Sequence, residues 1–318
     1  MKGTHTESGL ALKEAITIYG ETGNPEDVEI VDQVQGRRLF TISNDGVVVK
    51  DLTISGTGWN YTDAWGCNVY GGHINMSAGV FENCIIKNGR ACSHSMNGHG
   101  GGHGGNVYMS GGRLVRCRVS GGISNPQVVG QQTCEGDGIY ATGGIIDSCL
   151  IADNGNGVSQ TTGVGVYANG AVTVVNCTVV GNHLKDDRNG AGIYVNSAAA
   201  KIINCVMYDN GGTAAKEFGT ANLDRFSHCA SSVTNESCAT WKIVTERDFV
   251  NYEKGKAGNL RGYRPSGHLD HHALSESGTT WEEYMSEVDL LGGPRMTGIK
   301  LDIGCIEGFE PGGTLRIR

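Results

Sequence analysis

The residues able to do chemistry in this chain gather in a few glycine-rich segments. Residues 121–137 end in Glu135-Gly136-Asp137, and residues 182–190 carry His183, Lys185, Asp186, Asp187 and Arg188. Adjacent carboxylates of this kind suit Ca2+ ligation, or the acid and base of a glycoside hydrolase working across a cleft. A Lys/Arg pair beside them would instead neutralise a uronate and abstract its α-proton, as a polysaccharide lyase requires. The competing reading is a solvated charged turn. Glu135, Asp137, Asp186, Asp187 and Arg188 are therefore the candidate catalytic residues.

Two further segments would hold a substrate. Residues 56–67 place Trp59, Tyr61 and Trp65 around Asp63. Such rings suit the flat apolar faces of sugars, or they merely cover the open end of a core. Residues 89–105 carry His94, His99 and His103, spaced five and four apart. Histidines so spaced could bind a metal or exchange protons, but no Asp or Glu in that segment completes a known ligand set, and a polar loop is the alternative. Trp59, Tyr61, Trp65, His99, His103 and Lys185 are the candidate substrate-binding residues. No catalytic triad, phosphate loop, dinucleotide fingerprint or zinc-spaced cysteine set is present, so Ca2+ is the one cofactor the residues suggest.

The elements that position these segments come from an internal repeat. One unit reads apolar-x-polar-Cys-x-apolar: Phe81-Glu82-Asn83-Cys84-Ile85-Ile86, Leu114-Val115-Arg116-Cys117-Arg118-Val119, Ile146-Asp147-Ser148-Cys149-Leu150-Ile151, Val175-Asn176-Cys177-Thr178-Val179 and Ile203-Asn204-Cys205-Val206-Met207. The cysteine steps are 33, 32, 28 and 28 residues, and Leu52 fills the slot one copy earlier. A second unit, apolar-Tyr, places Tyr70, Tyr108, Tyr140, Tyr167 and Tyr194 at steps of 38, 32, 27 and 27. Period-2 alternation, β-branched residues and Gly/Asn/Asp/Ser turns make each copy two or more short strands, with no helical stripe between them. Each coil then pairs in parallel with the next at about 4.8 Å, and equivalent residues stack.

In that register Cys84, Cys117, Cys149, Cys177 and Cys205 form one inward ladder with Ile86, Val119, Ile151, Val179 and Met207 beside it. Cβ atoms about 4.8 Å apart exceed the roughly 3.5–4.5 Å of a disulfide, so these thiols are expected reduced and buried. Asn88, Asn154, Asn182 and Asn210 form an expected turn ladder whose amides bond along the stack. The five candidate segments (56–67, 89–105, 121–137, 155–163 and 182–190) would leave the coils at equivalent points and line one edge.

Composition agrees. Gly 51 stands far above the roughly 7% norm without a collagen period, and Pro is only 5. A net charge of −8 argues against nucleic acid or an anionic membrane as partner. No apolar run of about 18 residues is present to span a bilayer. The expected fold is an all-β right-handed parallel β-helix over residues 1–215, closed by a capping segment over 216–318 that folds back along it. Cys229 and Cys238, in a short polar stretch of that segment, are the expected disulfide pair if the protein is exported.

These repeats resemble those of bacterial secreted right-handed parallel β-helix repeat proteins. The tail is similar too. Val288-Asp289-Leu290-Leu291-Gly292-Gly293-Pro294-Arg295, followed by Leu301-Asp302-Ile303-Gly304-Cys305-Ile306-Glu307, resembles the closing D-L-x-G-x-x-R … D-I-G-A-x-E signature of choice-of-anchor type, with Cys305 in place of the usual Ala. His268, His271 and His272 stand where the family usually reads SPAIDAG. The resemblance implies the β-helix and an exported bacterial protein, with a leader expected upstream of Met1. The group mixes lyases, hydrolases and adhesins, so the expected function is binding or cleaving a polysaccharide or cell-surface glycan along the loop edge, the alternative being a non-catalytic adhesin or structural solenoid.

Overall fold

A computed structural model describes residues 2–34, 37–56, 59–61, 69–93, 102–124, 134–155, 161–183, 192–219, 222–246, 249, 270–273, 286–295 and 300–307. Among them helix is confined to Ala214–Glu217 and a short 3-10 turn, and the strands are short and pair in parallel except for Asp270–Ala273 with Lys300–Asp302. No helix is long and apolar enough to cross a membrane.

The chain is a parallel β-solenoid. A ten-stranded sheet runs through Gly3–Thr6, Val28–Asp32, Thr53–Gly56, Ile85–Lys87, Arg118–Ser120, Leu150–Ala152, Thr178–Val180, Val206–Tyr208, Ala230–Ser231 and Lys242–Ile243. A thirteen-stranded sheet takes two further strands from each coil, such as Ile74–Met76 and Val80–Glu82. The corner between the two sheets is made by one residue just before the cysteine slot. Asp51, Asn83, Arg116, Ser148, Asn176, Asn204 and His228 all have φ between 49° and 59° there. Asp and Asn adopt this left-handed conformation readily, whereas Arg116, Ser148 and His228 do so at about 1 kcal/mol or more each.

Behind that corner the cysteine ladder stands as expected. Cys84, Cys117, Cys149, Cys177 and Cys205 are buried, and Ile86, Val119, Ile151, Val179 and Met207 follow in register. The thiols are bonded rather than inert filler. Sγ of Cys149 donates to the Leu114 carbonyl at 3.6 Å and accepts the Cys117 N–H at 3.3 Å, and the pattern recurs up the stack. Burial pushes the Cys149, Cys177 and Cys205 thiols well above their usual range.

Three expectations need correcting. Cys229 is not a disulfide partner of Cys238: both are free, and Cys229 is a sixth rung of the ladder, its Sγ accepting the Cys205 N–H at 3.4 Å. Parallel pairing therefore carries on past residue 216 to Lys242–Ile243. Tyr70 does not stack with the later tyrosines as their equivalent, because Asn75 is the residue in register with Tyr108. Asn88 is not in the amide ladder: it is a positive-φ turn residue, and Gly89 occupies the ladder level.

The amide ladder is longer and less uniform than a row of one residue type. Asn154 Nδ2 donates to Asn182 Oδ1 at 2.9 Å, Asn182 Nδ2 to Asn210 Oδ1 at 3.0 Å, and Asn210 ends on Glu217 at 2.8 Å. At the other end Asn106 Nδ2 reaches Asn154 Oδ1 at 3.3 Å, and His73 Nε2 lies 3.0 Å from the Lys87 carbonyl. His73 and Asn106 come from the opposite wall of the coil. Where they enter, the turn residue is Gly89 or Gly122. Where Asn154, Asn182 and Asn210 enter, the opposite wall is Gly138, Gly165 or Gly192. A Cβ at Gly122 would meet Asn106 Nδ2 at 2.6 Å, and one at Gly192 would meet Asn210 Nδ2 at 2.9 Å. One polar side chain per rung fills the space, and a glycine faces it.

The tail lies on the outer face of the ten-stranded sheet. Leu290, Cys305 and Ile306 pack on Leu150, Ala152 and Val180. Cys305 N–H donates to Thr178 Oγ1 at 3.1 Å, and Asn204 Nδ2 donates to the Asp302 carbonyl at 2.9 Å. The signature residues close on one another: Asp289 accepts the Glu307 N–H at 3.0 Å, and the 1% exposed Arg295 lies 3.5 Å from Glu307 and donates to the Gly304 carbonyl. Asp270–Ala273, which includes His271 and His272, pairs antiparallel with Lys300–Asp302; His268 lies outside the described residues.

Candidate functional site

The return of each coil after its variable segment is itself a strand. Val69–Tyr70, Gly102–His103, Cys134–Glu135 and Thr161–Thr162 form a four-stranded parallel sheet. Its register stacks Tyr70, His103, Glu135 and Thr162 in one column. A glycine with positive φ follows each of them (Gly71, Gly104, Gly136 and Gly163), and side chains are excluded there because a Cβ at Gly104 would sit 2.1 Å from the Val107 carbonyl. The chain turns and enters the next strand, which carries Tyr108, Tyr140, Tyr167 and Tyr194 in register. Val or Ile before each tyrosine, and Met, Ala or Val after it, point into the core, so the tyrosines face out.

Two columns therefore meet along an outer corner. Tyr108, Tyr140, Tyr167 and Tyr194 stack face to face, with centroids 5.4, 5.2 and 5.3 Å apart. Tyr70 stacks on His103 at 5.1 Å and meets Tyr108 edge-on at 4.8 Å, while His103 meets Tyr140 edge-on at 4.9 Å. Next to these rings His103 Nδ1 and Glu135 Oε2 are 2.5 Å apart, their side chains only 10% and 13% exposed. The two groups make a close ion-pair contact, although His103 Nδ1 lacks a hydrogen bond of good geometry, and a histidine beside a carboxylate is a pair suited to proton exchange.

The rings use their faces on one another, so what they keep for a ligand is the edge and the phenol hydroxyl. Burial, and after it the Glu135 charge, push the Tyr167 phenol up, and burial does the same to Tyr140, so both hydroxyls stay protonated donors. A polar rank runs beside them: Asn169 Nδ2 donates to the Tyr140 hydroxyl at 2.7 Å, and Asn196 Nδ2 donates to Asn169 Oδ1 at 2.8 Å. At the N-terminal end Arg38 donates to the Tyr70 carbonyl at 2.6 Å, and burial lowers its guanidinium to about 10, which leaves it charged at neutral pH.

The residues picked out from the sequence separate here. His103 and Glu135 are brought together from neighbouring coils. Asp137 is 2% exposed and turned away from Glu135 by the left-handed Gly136, and its Oδ1 accepts both the N–H and the hydroxyl of Ser124 at 2.5 and 2.6 Å. Trp59 and Tyr61 belong to a strand, Trp59–Tyr61, paired in parallel with Ala91–Ser93, so the first two segments do stack at their start. Trp65, His94, His99, Lys185, Asp186, Asp187 and Arg188 lie outside the described residues. Among the described residues no group of His, Cys, Asp and Glu is gathered as for a metal ion.

Sequence reasoning found the tyrosines as repeat markers but missed that they form a surface, and it missed Asn169 and Asn196. The signal was there: apolar-Tyr-apolar alternation places the ring outward, and Asn169 and Asn196 stand two residues beyond their tyrosines on the same face. The chain matches no protein-family model and no curated protein sequence.

Proposed function

We propose that this β-solenoid binds an extended glycan along its tyrosine corner, with His103 and Glu135 as the proton-exchanging pair within reach of the bound chain. The observation that carries the reading is the outward row from Tyr108 to Tyr194, in which Tyr140 and Tyr167 keep 8% of their surface exposed, abutting the His103–Glu135 contact. Ring centroids 5.2–5.4 Å apart present one tyrosine per coil, a regular row along which successive units of an extended chain could lie. The rings exclude water from one side, and Asn169 and Asn196 supply further donors and acceptors.

A hydrolase of the two-carboxylate kind would need a second carboxylate beside Glu135; Asp137 is turned to Ser124, and Asp186 and Asp187 lie outside the described residues. Export, for which the resemblance of the tail is the support, belongs to the same reading. The test is binding and turnover on a panel of neutral and uronic polysaccharides. Tyr108→Phe combined with Tyr167→Phe removes two hydroxyls and leaves the stack. At about 0.5–1.5 kcal/mol per neutral hydrogen bond the double variant should bind roughly tenfold or more weakly. His103→Ala should abolish any turnover and spare binding. Unchanged affinity of the double variant would refute the row as the binding surface.

A further inference from the structure

The tyrosine column ends at Tyr194, and it ends at a cavity. Among the described residues Tyr194 stacks on Tyr167 and on no second ring, and beyond it opens a cavity of about 540 Å³. That is within the roughly 300–1,000 Å³ of ordinary small-molecule sites. Its apolar side is Phe218 and Leu223, with Phe218 locked edge-on against Phe226 at 5.7 Å and Trp241 at 4.8 Å. Its polar side is the turn of Thr234, Glu236 and Ser237. The buried Asn235 fixes that turn, donating to the Leu223 carbonyl at 3.1 Å and accepting the Ser237 N–H at 3.0 Å. The wall is thus set before anything binds, which lowers the entropic cost of binding.

We infer that this cavity is a subsite for one terminal pyranose ring, stacked on Tyr194, with its hydroxyls bonded by Thr234, Glu236 and Ser237. The inference rests on the glycan reading of the tyrosine row and goes further, because it names an end of the chain and a sugar class. The exposed carboxylate of Glu236 stands at the rim, and no Lys, Arg or His lines the cavity among its described residues. A uronate would meet an unopposed like charge there, whereas a neutral hexose or a cationic amino sugar would not. The subsite therefore selects neutral or amino-sugar ends.

The experiment compares matched linear oligomers of glucose, glucosamine and glucuronate by calorimetry on the whole chain. Wild-type protein should bind the first two and discriminate against the third. Ala215→Trp fills the cavity from an exposed position and should weaken glucose-oligomer binding at least tenfold without shifting the thermal midpoint. Glu236→Lys should move the preference at least tenfold towards glucuronate. Equal binding by wild type and Ala215→Trp, with sensitivity to the Tyr108/Tyr167 double change retained, overturns the subsite and leaves the row standing. Sensitivity to Ala215→Trp without sensitivity to the double change keeps the subsite and removes the row. No binding of any oligomer in the millimolar range overturns both.

Discussion

Replacing Asn182 by alanine tests the amide ladder where it is most fully bonded. The side chain accepts from Asn154 N–H at 3.1 Å and Asn154 Nδ2 at 2.9 Å, and it donates to Ile151 O and Asn210 Oδ1, both at 3.0 Å. Alanine leaves Asn154 N–H without its acceptor. Asn154 Nδ2 keeps the Val119 and Ala152 carbonyls, and Asn210 Oδ1 keeps the Asn182 N–H. A stranded buried donor costs about 1–3 kcal/mol and each of the three other lost bonds about 1 kcal/mol, so the change should cost roughly 4–6 kcal/mol. That is a large part of the 5–15 kcal/mol expected of a folded domain in total. Asn169→Ala is the control. It also loses ladder bonds, to Tyr140 and Asn196, but on the outer face where water replaces them, and it should cost about 1 kcal/mol or less. Urea unfolding followed by circular dichroism gives both values from the midpoints at constant slope. An Asn182→Ala protein no less stable than Asn169→Ala would refute the ladder as a stabilising element.

Burial holds the His73 imidazole down to about 4, below its ordinary value of 6.5. Stability is then intact above pH 6.5 and should fall by up to roughly 3 kcal/mol as the pH drops from 6.5 towards 4, a slope that His73→Gln should flatten. Asn154→Gly should destabilise by stranding the Gly122 N–H, and adding Gly138→Asn should not recover the loss, because a Cβ at Gly138 would meet the Gly165 carbonyl at 2.5 Å; a double variant with the wild-type urea midpoint would contradict that packing. Cys149→Asp places a charge in the closed core and should prevent folding, as expression and circular dichroism would show. Thiol titration after denaturation without reductant should find Cys229 and Cys238 free, along with the five cysteines below Cys229 on the ladder.

The fold was legible because one small apolar residue recurs at a corner whose geometry allows little else. Cysteine steps of 33, 32, 28 and 28 are coil lengths, and they set the register of the whole stack. The same steps held the correction to the tyrosines. Tyr70 to Tyr108 is 38 residues, out of step with the 33 between Cys84 and Cys117, and Asn75 is the residue that keeps step. His103 and Glu135 are 32 apart, as are Tyr108 and Tyr140, so their stacking was also available from spacing. Asp137 was less legible. Two residues from Glu135 on a strand would share its face, but Gly136 takes φ of 66° and redirects the chain. Cys229 was hidden because its coil shortens to 24 residues and the flanking sequence turns polar.

The change of wall in the polar ladder has a consequence for how such a molecule lengthens. A coil copied from the stretch of Asn154, Asn182 and Asn210 brings its amide on the turn and its glycine opposite, and a coil copied from the stretch of His73 and Asn106 brings the reverse. Duplication or loss of a whole coil within either stretch keeps the column filled. Moved across the boundary, the same coil still brings one amide and its facing glycine, but the column must then change walls again, as it does where Asn106 Nδ2 reaches Asn154 Oδ1 at 3.3 Å. The junction between the coil of Asn106 and the coil of Asn154 is a seam, and the solenoid grows on either side of it by different parts.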